Sequence, residues 1–115
     1  MKARIYHNPK CSKSRATLAL LEERGIDVDV VEYLSTPVSK QALITLLDKL
    51  GLAAKDIVRT SEDAFKASGL SIEADQESLL DLIVEHPEIL QRPIVEVGPA
   101  ARIGRPPEQV LELLG

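Results

Sequence analysis

The chain has no tryptophan, one phenylalanine and two tyrosines, so its interior has to be built from aliphatic side chains. Its single cysteine, Cys11, excludes an intrachain disulfide and any zinc site made of several cysteines. Only two histidines, His7 and His86, are present, and no metal site is expected. No run approaches the ~20 apolar residues that a membrane helix needs. Ile5-Tyr6-His7-Asn8-Pro9, which follows the charged start, is not the apolar core of a secretory signal. Positive charge is also in short supply: 14 Lys and Arg against 18 Asp and Glu leave a net charge of −4. That balance argues against a surface that tracks a phosphate backbone. Neither nucleic acid nor membrane is therefore an expected partner. A cytoplasmic location is expected, where a lone thiol stays reduced.

What remains is globular. With 115 residues, 44% hydrophobic and 28% charged, the chain is expected to form one domain over residues 1–115 and to bury a core without staples. No dimerisation stripe is visible, and a monomer is expected.

Lys2 to Tyr6 reads as a strand, ended by Asn8-Pro9. A helix follows from Ser12 to about Arg24, with Ser12 or Ser14 as its cap, Ala16, Ala19 and Leu20 on its apolar face, and Gly25 as its stop. Asp27 to Leu34 alternates as a second strand, so these two strands should be parallel neighbours. The middle is helical: Leu43, Leu46, Leu47 and Leu50 form one stripe, Ala53 to Gly69 holds weaker pieces, and Glu77 to Glu85 forms another helix. Pro93 to Val97 and Ala101 to Ile103 read as an antiparallel pair, and Pro106-Pro107 opens a last helix. This order predicts an α/β, thioredoxin-like fold with a mixed four-stranded sheet and a central helical insertion.

Cys11 falls between a strand-ending loop and a helix start, where backbone N–H groups and the helix dipole favour an anion. Half ionisation at neutral pH requires roughly 2 kcal/mol of preference for the thiolate, and an exposed helix end supplies only about 0.3–1 kcal/mol. Cations must add to it. Lys10, Lys13 and Arg15 surround the thiol in sequence, and the hydroxyls of Ser12 and Ser14 could donate to it. The polar flanks make a poor core environment, which favours a reactive thiol over a buried one. Arg59, Arg92 and Arg105 each fall at an element boundary; a guanidinium fork suits tetrahedral oxyanions, although surface positions would serve arginine equally. His7 could tune the thiol or order the loop, whereas His86 ends a helix and reads as structural. Pro93 opens a strand, and in a thioredoxin-like fold the proline there is cis and sits beside the active cysteine.

His7-Asn8-Pro9-Lys10-Cys11-Ser12-Lys13-Ser14-Arg15 resembles the active-site loop of the ArsC-type, glutaredoxin-dependent arsenate reductases. Tyr33-Leu34 with Thr36-Pro37, Ile57-Val58-Arg59-Thr60, Gln91-Arg92-Pro93-Ile94-Val95 and Arg105-Pro106 follow in that family's order, over nearly the whole chain. The resemblance implies that Cys11 is the nucleophile and that Arg59, Arg92 and Arg105 bind the oxyanion, with His7, Ser14 and Pro93 in support. It implies no bound cofactor, glutathione as co-substrate and glutaredoxin as partner. Two other readings use the same residues: a glutathione-linked thiol/disulfide reductase, and a regulatory module like the Spx proteins, which bind RNA polymerase. Many Spx proteins carry a second cysteine where this chain has Ser14, and the three arginines favour an oxyanion site.

Overall fold

The computed structural model describes residues 1–114. Its contacts divide the chain into two compact units, one formed by Met1–Thr36 and the chain from Arg92 onward, the other by Pro37–Gln91.

The first unit is built on β1 (Lys2–Tyr6), α1 (Ser12–Glu23), β2 (Asp27–Val31), β3 (Ile94–Val97) and β4 (Ala100–Ile103). The sheet order is β2-β1-β3-β4. β1 and β2 run parallel, from Lys2 opposite Asp27 to Tyr6 opposite Val31, while β3 is antiparallel to both β1 and β4. The sheet is thus mixed, as the order of elements predicts. Alternation along β1 turns Ala3 and Ile5 to one face, where they join Val95, Leu21 and Val110 in an aliphatic core flanked by Leu18, Val28, Val97 and Leu113. On the other face Tyr6 donates to Glu96 Oε1 at 3.1 Å, and Arg4 bridges Glu96 and Asp29.

Three expectations need correcting. β2 stops at Val31, not Leu34, because the Glu32 carbonyl accepts from the N–H groups of Ser35 and Thr36 (3.0 and 2.9 Å) and turns the chain. The last helix, Pro107–Leu114, is a 3-10 helix; its first turn is tied by an i to i+3 bond from Gln109 N–H to the Pro106 carbonyl (3.0 Å). In α1, Ala16 and Ala19 are exposed, and the buried face runs Ser14, Thr17, Leu21. The helix is rotated so that two hydroxyls enter the interior: Ser14 serves the preceding loop, and Thr17 Oγ1 donates to its own helix at the Lys13 carbonyl (2.8 Å). Gly25, in the left-handed conformation (φ +71°), ends this segment as expected.

The second unit is helical: α2 (Lys40–Leu50), α3 (Asp63–Ser68) and α4 (Gln76–Glu85), with 3-10 turns at Ala54–Ile57 and Pro87–Ile89. Ser39 and Asp75 cap α2 and α4 by accepting from Ala42 N–H and Ser78 N–H. The predicted stripes are buried at Leu43, Leu46 and Leu47 on α2, where Leu50 is only half-buried, and at Leu79, Leu82 and Ile83 on α4. Lys40 pairs with Glu77 and Asp81, tying α2 to α4. Among the described residues no helix is long and apolar enough to cross a membrane.

One close approach in the first unit fixes how β4 leaves the sheet. Gly104, just after β4, donates its N–H to the Pro93 carbonyl at 2.9 Å. A Cβ on this residue would stand 2.6 Å from Thr17 Oγ1 and 2.8 Å from Pro93 Cγ. Overpacking of this kind costs about 1–3 kcal/mol. Gly104→Ala is therefore expected to lower the urea midpoint at unchanged slope, and Thr17→Ala in the same chain to recover part of the loss. Equal stability of Gly104→Ala and wild type would refute this account of the contact.

Candidate active site

The loop between β1 and α1 is fastened residue by residue. His7 N–H donates to the Val31 carbonyl at 2.8 Å, which ties the loop to the neighbouring strand. Asn8 Oδ1 accepts from Lys10 N–H (3.0 Å) and the Asn8 carbonyl accepts from Cys11 N–H (3.0 Å), so Asn8-Pro9-Lys10-Cys11 is a closed turn. Ser14 Oγ, wholly buried, accepts from Asn8 N–H at 3.0 Å and lies 2.5 Å from His7 Nδ1. The His7 ring is held below its ordinary pKa, by burial above all; the charge of Glu32 opposes this and that of Arg15 adds to it. A hydroxyl has one donor and two acceptor sites, so Ser14 Oγ engages Asn8 N–H and the His7 ring at the same time.

Cys11 is itself the N-cap residue of α1, with extended backbone (φ −95°, ψ 123°). This corrects the expectation that Ser12 or Ser14 caps the helix. Sulfur occupies the place where a Ser or Asp oxygen would accept the first free N–H groups. Burial is the strongest single influence on the thiol and pushes its pKa up. The backbone N–H groups of Ser14 and Lys13 and the Arg92 guanidinium lie on the thiolate's side and carry the pKa below its ordinary value, although the sulfur makes no capping hydrogen bond to the helix. Arg105 adds Nη2 at 3.6 Å from Sγ.

Both arginines are aimed by backbone. Arg92-Pro93 is a cis peptide, as the fold implied, and Arg105-Pro106 is cis as well. Arg105 Nε donates to the Arg92 carbonyl at 2.7 Å, next to the Gly104 to Pro93 bond, so the Arg105 guanidinium is held against the backbone of Arg92. Cys11, Arg92 and Arg105 therefore meet in the first unit. Arg59 belongs to the second, where its N–H donates to the Ile89 carbonyl (2.7 Å) and its side chain contacts Glu62 Oε1 (Nε, 3.3 Å) and Gln91 Oε1 (Nη1, 3.4 Å).

The sequence neighbours singled out as helpers do other work. Arg15 Nη1 donates to the Pro9 carbonyl at 2.9 Å, Lys10 and Lys13 are exposed, and the Ser14 hydroxyl faces the loop. Thr17 and Gly104 escape a reading of chemical motifs because neither carries chemistry; a glycine at a strand end before Arg-Pro is the one signal that could have marked a close approach. Among the described residues no cluster of His, Cys, Asp or Glu could hold a metal ion. A half-buried thiol whose thiolate is favoured by neighbouring guanidiniums can attack a tetrahedral oxyanion or exchange with a disulfide.

A model of the ArsC family matches residues 6–113. The chain is 47% identical over 114 residues to the uncharacterized Escherichia coli protein YfgD, covering 97% of this chain and 96% of that one. It is 47% identical over 113 residues to an arsenate reductase of Neisseria meningitidis, covering 96% and 97% of the two chains. Among solved structures, an arsenate reductase from Vibrio cholerae superposes with a TM-score of 0.93 at 46% identity, over 97% of each chain.

A depressed thiol pKa links ionisation to folding. The stability that the thiolate contributes is complete above the ordinary thiol pKa and is lost as pH falls through the lower, folded value. The difference in unfolding free energy between wild type and Cys11→Ser should therefore change in wild type's favour as pH rises through that window and then level off. Denaturant titrations across the window test this, and a flat difference would show that ionisation of the sulfur is not linked to folding.

Proposed function

This chain belongs to the ArsC family, and on that premise we propose that it reduces arsenate to arsenite, with Cys11 as nucleophile. The observation that carries the reading is the single place where Sγ stands at the N-terminal end of α1 and meets the guanidiniums of Arg105, at 3.6 Å, and of Arg92. Arsenate repels an incoming thiolate. Guanidiniums fixed beside the sulfur offset that repulsion and hold the arsenic for attack without reorganising as charge moves. The family resemblance implies a role for Arg59 in binding the oxyanion, and His7, Ser14 and Pro93 order the loop and the chain around Arg92.

Attack forms an S–As bond on Cys11 and expels hydroxide, which leaves as water once protonated. Reduction of As(V) to As(III) takes two electrons, supplied when two sulfurs become a disulfide. Cys11 supplies one sulfur, and this chain holds no other cysteine. The second thiol is external. Its thiolate attacks the Cys11 sulfur, the S–As bond breaks with its electron pair on arsenic, and arsenite leaves. The resulting mixed disulfide on Cys11 is then reduced by exchange with a further thiol. Glutathione as co-substrate and glutaredoxin as the final reductant fit these two steps, with no bound cofactor.

In an assay coupled through glutathione, glutathione reductase and glutaredoxin, arsenate-dependent NADPH consumption is expected for wild type and none for Cys11→Ser. Arg92→Ala and Arg105→Ala should each lower kcat/KM for arsenate by on the order of a hundredfold, the effect of losing one fixed donor to a developing anion. Wild type without an arsenate-dependent signal, in the presence of active coupling proteins, would overturn the assignment. Consumption driven equally by a small disulfide in place of arsenate would make it a general thiol/disulfide reductase.

A further inference from the structure

Consecutive residues of α1 hold consecutive residues of the loop. Ser14 Oγ accepts from Asn8 N–H inside the protein, and Arg15 Nη1 donates to the Pro9 carbonyl outside it, at 3.0 and 2.9 Å. Arg15 N–H also donates to the Cys11 carbonyl at 3.0 Å, the first backbone bond of the helix. Its side chain leans toward the helix N-terminus, as helical side chains do, and so reaches a carbonyl six residues back. Pro9 is the second residue of the turn closed by Cys11 N–H on the Asn8 carbonyl. That turn decides where the Cys11 Cα sits relative to the N–H groups of Lys13 and Ser14. An unbranched chain at position 15 without a donor would leave the outer half of the turn tied only through Asn8.

We propose that Arg15 is a positioning residue for the reactive thiol: its bond to the Pro9 carbonyl locks the Asn8–Cys11 turn so that the sulfur keeps its place at the start of α1, within reach of Arg105. Arg15 touches no reacting atom; it acts through the turn. The groups facing the sulfur are the N–H of Lys13 and Ser14 and the guanidiniums of Arg92 and Arg105, and none of these is altered by a change at position 15. The effect falls on the thiolate itself, whatever oxidant it meets.

The test is the pH profile of Cys11 alkylation by iodoacetamide in wild type, Arg15→Met and Arg15→Lys, at low salt and in 1 M NaCl, with thermal melting of each protein alongside. Arg15→Met is expected to raise the apparent thiol pKa by about half a unit, an about threefold loss of thiolate below the pKa. Arg15→Lys keeps a donor for the carbonyl and should restore most of the wild-type profile. The shift should survive 1 M NaCl, where charge effects are screened within ~3 Å. A shift that vanishes in salt would reduce Arg15 to a remote charge and overturn the proposal. Superimposable profiles would also overturn it, even with a lowered melting temperature. Because alkylation requires no arsenate, these outcomes are read independently of the reductase assay.

Discussion

A sulfur in the N-cap position of α1 is the constraint on which the rest of the first unit depends. A neutral thiol is a weak hydrogen-bond acceptor in that position, whereas a thiolate suits the positive end of a helix. Half burial of the thiol works against that anion. The opposing demands are reconciled by cations brought from far along the chain, not by the lysines beside Cys11. Arg92 and Arg105 arrive at the two ends of the β3–β4 hairpin, and the bond from Arg105 Nε to the Arg92 carbonyl holds the Arg105 guanidinium beside the Arg92 backbone. The antiparallel pairing of β3 with β1 and β4 is thus what delivers positive charge to the end of a helix that starts at residue 12.

Packing underneath keeps that delivery accurate. Thr17 and Pro93 leave room at position 104 for a hydrogen atom only, so β4 leaves the sheet at a fixed place. Ser14, one turn earlier on α1, fills the same role toward the loop by engaging both His7 and Asn8. The buried face of α1 is polar at its N-terminal half and aliphatic from Leu21 onward, and this division marks where support of the site gives way to the core of the unit.

Much of this arrangement is legible in the sequence. Strand β1, the stripes of α2 and α4, the glycine stop at Gly25 and the parallel start of the sheet follow from periodicity and turn chemistry, because in those places local preference and burial agree. The face of α1 misleads for the opposite reason: Ala16 and Ala19 satisfy an apolar pattern, but the interior needs hydroxyls at Ser14 and Thr17 to satisfy loop groups that no pattern announces. The cap misleads because serine is the usual N-cap, and cysteine takes that place only once guanidiniums distant in sequence favour its thiolate. Proximity along the chain points to Lys10 and Lys13 as helpers, whereas Arg92 and Arg105, from the far end of the chain, supply the charge, and contacts of that range are invisible to a local reading.

Burial commits Ser14 to a single task. In a two-thiol redox motif the partner sulfur stands three residues after the first, and here that position is a strut whose oxygen is engaged by Asn8 N–H and the His7 ring. A sulfur installed there would have to abandon the strut to reach Cys11, so self-resolution and an ordered loop compete for one side chain. With one cysteine, the chain has no sulfur of its own to displace a group bound to Cys11. On the proposed function such an adduct is a one-slot memory, cleared at a rate set by the thiols around the protein and not by its own folding.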